Sequence, residues 1–218
     1  MKAIIKNTLI LFAITLVAGL GLGFVYNVTS EARKNQEQKT MLAAYESVMP
    51  GMERFDYIKT DFANADTPAY QFIQDKVKEN ESKNNISAIK SFNATIDSVA
   101  NAYDKEGNSI GYIVTVTDHE AYDGSLQMTV GIKEDGTVIG ISFLSLCETP
   151  GLGMKADADD FKSQFGNKKV DFFQYEKSGA SSDNEINAIS SATITSNAVV
   201  HGVNAAIYCV EYIIGGGR

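Results

Sequence analysis

Hydrophobic and polar positions divide the chain into an apolar start, a polar middle and a patterned C-terminal half. Residues 8–26 carry no charged side chain, and about 20 apolar residues span a bilayer core as a helix. The glycines in this run weaken soluble helices but are common in membrane helices. The run therefore predicts a transmembrane helix.

A cleaved signal peptide is the alternative, with Lys2 and Lys6 as its positive start. The apolar run is longer than the usual signal-peptide core of about 7–15 residues, and no A-x-A cleavage signal follows it. We therefore expect a retained anchor, which makes the lipid bilayer a partner of the chain.

Positive residues flank both ends of the predicted span, with Lys2 and Lys6 before it and Arg33 and Lys34 after it. The positive-inside rule alone does not choose between the two orientations. Because the N-terminal tail is short and the rest of the chain is acidic, we expect a single-pass protein of the inner cell membrane. Its N-terminus is then cytoplasmic and its main domain extracytoplasmic.

The segment after the anchor changes character twice. Residues 31–48 predict a helix, continuous with the membrane helix or separate from it, that stops at Met49-Pro50-Gly51. Residues 52–92 are polar and show no clear period. Within them, the charged and Asn-rich stretch 76–90 predicts a solvated loop.

From Asp97 onward the pattern has the period of two that is typical of strands. Glycine-containing turns at 104–108 and 134–136 separate the apolar stretches into two hairpins. The predicted strands are 99–103, 110–116, 126–132 and 138–146. Together they predict a small antiparallel sheet.

Two helices are predicted in the same half, at 156–165 and 196–214. The second has apolar residues at the helical period, a cap at Thr195 or Ser196, and a stop at Gly215-Gly216-Gly217. The predicted fold class is α+β, with one N-terminal transmembrane helix followed by a soluble domain whose small antiparallel sheet is packed by helices. The predicted parts are the anchor (1–34), a helix and polar connection (35–94) and the main domain (95–218).

Charge and composition exclude several kinds of function. A formal net charge of −8 argues against a nucleic-acid partner, which needs a basic face. Two cysteines are too few for an iron–sulfur cluster within one chain, and two distant histidines argue against a zinc site. Cys147 and Cys209 either form a disulfide or are small buried residues, and the packed helix around Cys209 favours burial. Redox chemistry would therefore need an organic cofactor, or metals of partner subunits.

Two segments stand outside the packing pattern. Residues 147–155, Cys-Glu-Thr-Pro-Gly-Leu-Gly-Met-Lys, join a strand to a helix with glycines that allow a ligand to approach the backbone. Residues 189–196 place five hydroxyls at the start of the last helix, where free N–H groups bind anions such as phosphate. An ordinary loop and an ordinary helix cap are the alternatives.

These residues resemble a known family. Glu-Thr-Pro-Gly-Leu-Gly (148–153), followed by Ser-x-Ala-Thr-x-Thr-Ser (190–196), is similar to the FMN-binding domain of the Rnf and Na+-translocating NADH:quinone reductase complexes. Tyr122-Asp123-Gly124, otherwise a plain turn, resembles that domain's Tyr-Asp-Gly element. Length and anchor favour the G subunit of Rnf, with the C subunit of the quinone reductase second. The resemblance covers the anchor and residues 95–214.

The resemblance implies FMN as a covalent cofactor, joined through its phosphate to a threonine by a flavin transferase. On the family pattern Asp-x-x-Ser/Thr-Gly-Ala-Thr the acceptor is Thr193, and Thr195 is the nearby rival. Asn187 stands in the place of the aspartate and Ser191 in the place of the glycine. The implied cofactor-binding set is Tyr122, Glu148, Thr149, Gly151, Leu152, Gly153, Lys155, Ser190, Ser191, Ala192, Thr193, Ile194 and Thr195.

The resemblance further implies an electron relay without catalytic residues of its own, since the flavin carries the chemistry. The chain would work beside the other membrane and redox subunits of a ferredoxin:NAD+ oxidoreductase coupled to Na+ or H+ translocation. One alternative is a free-standing, membrane-tethered flavoprotein outside the cytoplasm. Another is an anchored binding module without redox chemistry, in which both segments are merely turns and caps.

Overall fold

The computed structural model describes residues 1–84 and 93–216 and divides the chain into two compact units, Met1–Leu42 and Ala43–Arg218. The helices are α1 (Lys2–Val48), α2 (Pro68–Asn84), α3 (Asp159–Lys162) and α4 (Thr193–Ile214). The strands are β1 (Arg54–Tyr57), β2 (Ala94–Tyr103), β3 (Ser109–Ala121), β4 (Gly124–Ile132), β5 (Val138–Leu146), β6 (Gln174–Glu176) and β7 (Glu185–Asn187). The predicted α+β class is confirmed, whereas the three-part division at 34 and 94 stays a prediction.

The first unit, Met1–Leu42, contains most of α1, including its apolar run and the polar residues that follow it. Within the described residues, α1 is the one helix that is long and apolar enough to cross a membrane, a test that an N-terminal signal sequence also passes. The hydroxyls of Thr8 and Thr15 donate hydrogen bonds to the carbonyl oxygens of Ile4 and Phe12, each at 3.0 Å. These polar side chains are therefore satisfied within the helix itself, as an apolar surrounding requires. The helix runs without a break to Val48, so residues 31–48 continue it.

Five antiparallel strands in the order β1-β2-β3-β4-β5 form the main sheet of the second unit. Both predicted hairpins are confirmed, and β2, β3 and β4 extend further than their apolar patterns indicated. Strand β1 pairs with β2 at the edge, and the sequence did not reveal it because only four residues form it. A separate parallel pair, β6 and β7, was not predicted either.

The two faces of the sheet carry different cores, because successive strand residues point to opposite sides. Val114 and Val116 of β3 belong to the main apolar cluster that α4 completes. Thr115, between them, lies on the other face, where its hydroxyl is 3.1 Å from the buried Tyr45 hydroxyl at the end of α1. Gly131 faces the same helix end, since a Cβ there would lie 2.0 Å from the Val48 carbonyl oxygen. Only glycine allows this approach.

The prediction of a solvated loop at 76–90 is wrong for residues 76–84, which belong to α2. Ala69, Ile73 and Val77 recur at four-residue spacing and are all buried in the main cluster. The charged residues around this short apolar stripe obscure its helical period in the sequence. Packing of the stripe against the main cluster stabilises the helix. The remainder of the predicted loop lies outside the described residues.

The predicted helix at 156–165 is wrong as a single element. A 3₁₀ turn (Gly153–Asp157), the four-residue α3 and a second 3₁₀ turn (Ser163–Phe165) follow one another. Ala158 interrupts the helical path with an extended conformation (φ −72°, ψ 144°). The predicted apolar pair remains, because the Phe161 and Phe165 rings are both buried and meet edge to face at 5.7 Å.

Candidate functional site

A cavity of about 490 Å³ joins the two segments that the sequence singled out. It lies between the loop that follows β5 and the start of α4. Its lining consists of Tyr122, Glu148, Thr149, Leu152, Gly153, Ser191, Ala192, Thr193, Ile194 and Thr195. Of the predicted set, Gly151, Lys155 and Ser190 do not line it and are exposed. Segments about forty residues apart in sequence thus meet around one space.

The first wall is held by a buried carboxylate. Glu148 is 7% exposed, and its Oε1 accepts a hydrogen bond from the Tyr122 backbone N–H at 3.0 Å. This bond ties the loop after β5 to the predicted turn between β3 and β4. A Cβ on Gly153 would lie 2.4 Å from Glu148 Oε2 and 2.7 Å from Thr195 Oγ1. Glycine at 153 therefore lets the two walls approach each other.

The bend of the same loop depends on Gly151, whose φ of 78° lies in the left-handed region. The Leu152 N–H donates to the Thr149 carbonyl oxygen at 3.1 Å and closes the turn. Leu152 is still 41% exposed although it lines the cavity. Its side chain is available to cover a ligand.

The second wall is the first turn of α4. The helix begins at Thr193 after Ala192, and no side chain caps it, so the predicted cap at Thr195 or Ser196 is wrong. The N–H groups of a first helical turn lack partners within the helix and attract anions. Thr193 is half-buried, whereas Thr195 is 1% exposed. Of the two threonines on this wall, Thr193 has the more accessible hydroxyl.

Ser196 fixes the turn that leads into this helix, a role that the sequence did not reveal. Its buried Oγ accepts a hydrogen bond from the Ile189 N–H and donates one to the Ala192 carbonyl oxygen, both at 2.9 Å. The two bonds close the turn from Ile189 to Ala192 onto α4. A serine three residues into a helix resembles any cap residue in sequence, which is why this role was missed.

Ser191 and Asn187 depart from the family pattern, and the structure shows the local conformation or contact of each. Ser191 has φ 65°, a left-handed conformation that glycine adopts freely and other L-residues at a cost. Asn187 Oδ1 accepts a hydrogen bond from the Ala180 N–H at 2.8 Å. An aspartate at 187 would offer the same acceptor, so the asparagine keeps this local contact.

The structure also shows the environments of the two cysteines and of His119. Both thiols are free, so the predicted burial holds for Cys209 and is wrong for the exposed Cys147. Burial raises the pKa of the Cys209 thiol well above its usual range. His119 lies on the surface within β3, where its ring nitrogens contact the Thr95 and Ser125 hydroxyls at 2.9 and 3.2 Å.

A larger cleft, of about 720 Å³, lies elsewhere in the second unit. Its lining includes Tyr103 and Tyr112 of the sheet and Tyr212 near the end of α4. None of the predicted site residues lines it. We therefore take the smaller cavity as the candidate site, because it unites both chemically unusual segments.

Comparison with known proteins gives one family match and a set of similar sequences. Residues 121–208 match the FMN-binding domain family. The G subunit of the proton-translocating ferredoxin:NAD(+) oxidoreductase complex of Clostridium ljungdahlii is 39% identical over 53% of this chain, which spans 61% of that protein. The G subunit of the Na(+)-translocating ferredoxin:NAD(+) oxidoreductase complex of Acetobacterium woodii is 29% identical over 94% of this chain and 91% of its own. The G subunit of the ion-translocating oxidoreductase complex of Vibrio cholerae is 29% identical over 98% and 91%.

Two solved structures are also similar. The C subunit of the Na(+)-translocating NADH-quinone reductase from Parabacteroides distasonis has 27% identity and a TM-score of 0.42, covering 53% of this chain and 59% of its own. NqrC from Shewanella oneidensis has 14% identity and a TM-score of 0.47, covering 78% and 72%.

Proposed function

We propose that this chain, whose residues 121–208 match the FMN-binding domain family, carries FMN as a phosphoester on Thr193 and relays electrons as the G subunit of an Rnf-type complex. In this proposal the complex is a membrane ferredoxin:NAD+ oxidoreductase coupled to Na+ or H+ translocation. The observation that carries the proposal is the single cavity that joins residues 148–153 to residues 191–195.

The residues present fit such a group. A volume of about 490 Å³ lies within the roughly 300–1,000 Å³ typical of cofactor sites. The uncapped first turn of α4 offers N–H groups to a phosphate beside the Thr193 hydroxyl. Glu148 and Gly153 on the opposite wall leave room for the rest of the cofactor, and Leu152 is placed to cover it.

The chain itself supplies binding and orientation. FMN provides the electron chemistry when it is bound, and the protein tunes it through the surrounding polar and apolar groups. The Glu148 carboxylate is nearly buried, so its charge acts strongly on whatever occupies the cavity. The side chains of Tyr122 and Ile194 remain 68% and 52% exposed at the mouth and can shield a cofactor from water.

The proposed setting is the cell membrane. The apolar part of α1 anchors the chain in the bilayer, with a cytoplasmic N-terminus and an extracytoplasmic flavin domain. Maturation requires a flavin transferase in the same compartment as that domain. The other Rnf subunits are the electron donor and acceptor, and the uncharged span of α1 offers no ion path of its own.

Intact mass decides cofactor and attachment together. The full chain, co-expressed with its flavin transferase, is expected to gain one FMN less one water, localised to the peptide that contains Thr193. It should also fluoresce in a denaturing gel under ultraviolet light. Thr193→Ala is expected to lose both signals completely, whereas the matched variant Thr195→Ala should keep them. A fluorescent band in Thr193→Ala would refute the attachment site.

Purification from native membranes distinguishes the proposed complex from its alternatives. Co-purification with ferredoxin:NAD+ oxidoreductase subunits is the expected result. Recovery of quinone reductase subunits would support the C-subunit alternative. A flavinylated chain without partner subunits would instead support a free-standing flavoprotein.

A further inference from the structure

A buried acid and a buried histidine face each other between the sheet and α4. Asp118 of β3 and His201 of α4 are both 0% exposed. His201 Nδ1 lies 3.9 Å from Asp118 Oδ2, which is beyond hydrogen-bond range but close for two charges. The flavin-binding groups described above do not use either residue.

Their surroundings favour a pair that is neutral as a whole. Ala94 and Leu126 lie opposite Asp118 on the neighbouring strands, and α4 contributes Asn197 one turn before His201. Glu120 of β3 is the charged group that acts on Asp118 among the described residues, and its N–H donates to Asp118 Oδ1 at 2.9 Å. Burial first, and then the Glu120 charge, raise the pKa of Asp118 to about 7, against the lowering effect of the Glu120 hydrogen bond.

Net charge is costly in such a layer, so the pair holds one proton near neutral pH. That proton lies either on the Asp118 carboxyl group or, with Asp118 ionised, on the His201 ring. Because the two groups interact, they titrate as a unit. We call this unit the Asp118–His201 couple.

The couple lies behind the candidate cavity. His201 follows Thr193 by eight residues on α4, a distance of about 12 Å along the helix axis. Asn197 lies midway, and its buried Oδ1 has no hydrogen-bond partner among the described residues. Asp118 precedes the cavity residue Tyr122 by four residues. A charge that enters the cavity thus acts on the couple through the buried interior of the protein.

We propose that the Asp118–His201 couple is a redox-linked proton site, which binds a proton more tightly when the FMN in the cavity is reduced. The inference rests on the function proposed above. One electron reaches the FMN from a low-potential one-electron donor, and a fraction of a proton passes from water to the couple. Both leave again when the electron moves on to the acceptor.

The expected coupling is modest and measurable. With the roughly 12 Å between Thr193 and His201 along α4 as the scale of the separation, a unit negative charge at an effective dielectric constant of about 20 changes proton affinity about tenfold. The negative charge favours the protonated couple, so its affinity for the proton rises on reduction. By linkage, the midpoint potential falls by about 59 mV in total as the pH rises through the titration of the couple.

The test uses the full, flavinylated chain in detergent, with dithionite titrations at a series of pH values. Wild-type protein is expected to show the step in midpoint potential. Asp118→Asn and His201→Gln should remove it, and pH dependence that remains in both variants belongs to the flavin alone. His119→Gln is the matched control, because His119 follows Asp118 in sequence but lies on the exposed surface. This variant should keep the step in midpoint potential. A step that persists in both couple variants, or that is absent from wild type, overturns the proposal.

Ring NMR provides a second measurement that does not depend on the stability of one variant. The chain has two histidines, and His119→Gln assigns the His201 signal. In the flavinylated protein, the His201 titration should move to higher pH by about one unit on reduction. In Thr193→Ala without flavin, dithionite should not move it. An identical titration in the oxidised and reduced flavoprotein refutes the coupling.

Failure of the proposed function is recognised separately. Intact mass shows before any titration whether the wild-type chain carries FMN. If flavin is absent, the proposed function fails, and the redox coupling that rests on it fails as well. If flavin is present and the midpoint step is absent, only the further inference fails.

Discussion

The first turn of α4 and its middle differ sharply, although one continuous helix contains both. Every residue from Ala198 to Val210 is buried, so packing on all sides fixes the middle. In the first turn, Thr193 and Ile194 remain accessible beside a cavity, and no side chain caps the helix. The candidate site thus lies where packing is incomplete, and the buried middle holds that end of the helix in place.

The largest effect on stability is expected from the one titratable pair described in the middle. Because burial raises the pKa of Asp118 from about 3.9 to about 7, the folded carboxyl group holds a proton that the unfolded one has released. In wild type, the unfolded His201 ring holds a proton over much of the same pH range and offsets this effect. In His201→Gln, the free energy of unfolding should therefore fall by up to about 4 kcal/mol between pH 4 and pH 7. Denaturant unfolding at several pH values measures the fall. Adding Asp118→Asn should flatten it, and an unchanged profile in the double variant would contradict the assignment.

Asn204 tests whether the middle is purely structural. Its Oδ1 accepts from the Phe173 N–H at 2.7 Å, and its Nδ2 donates to the Phe173 carbonyl oxygen at 2.9 Å. Asn204→Ala leaves both buried backbone groups unpaired and should cost about 2–4 kcal/mol. Glu211→Ala, on the exposed side of α4, should cost less than about 1 kcal/mol. Covalent flavin should remain in both variants. Its loss from a folded Asn204→Ala would contradict a purely structural role for the middle of α4.

Ser196 lies where the two regions join. Ser196→Ala removes the acceptor of the buried Ile189 N–H and should cost about 1–2 kcal/mol. It should also reduce the fraction of chains that carry flavin, because the turn before Thr193 is less well held. Mass spectrometry measures that fraction. Ser178→Ala, which is exposed and lies outside the attachment pattern, serves as the control, and equal flavin loading in the two variants would show that this brace does not position Thr193.

The smallest effect is expected at Ser191. Ser191→Gly relieves the left-handed conformation at φ 65° and should stabilise the protein by less than about 1 kcal/mol. Ser190→Gly, at an ordinary backbone conformation, should destabilise it slightly. Thermal unfolding of both variants measures whether each substitution raises or lowers the stability of the protein. A destabilised Ser191→Gly would mean that the serine side chain contributes more than its backbone conformation costs.

The sequence predicted those elements whose pattern is long and uniform. The apolar run of α1, the two hairpins and α4 each follow one period, so local preference and packing agree. Helix α2 was missed because its buried stripe of Ala69, Ile73 and Val77 lies among charged residues. Strand β1 and the pair β6–β7 were missed because three or four residues carry too little pattern.

The candidate site divides in the same way. Short motifs alone indicated Glu148, Gly153 and Thr193, since unusual residue types at fixed spacing carry a chemical meaning. The brace formed by Ser196 and the couple of Asp118 with His201 were not visible. Each of these depends on partners distant along the chain or on complete burial, neither of which leaves a local signature.

By itself, the sequence determined the apolar N-terminal segment, the strand and helix periods, and the two segments whose residue types suit a phosphate-bearing ligand. Tertiary structure decided that these segments share one cavity and that Thr193 is more accessible than Thr195. It also decided that Asp118 faces His201 in a buried layer. The physical reason is range: periodicity and residue type act within a few residues, whereas burial and distance between strands and helices exist only once the chain has packed.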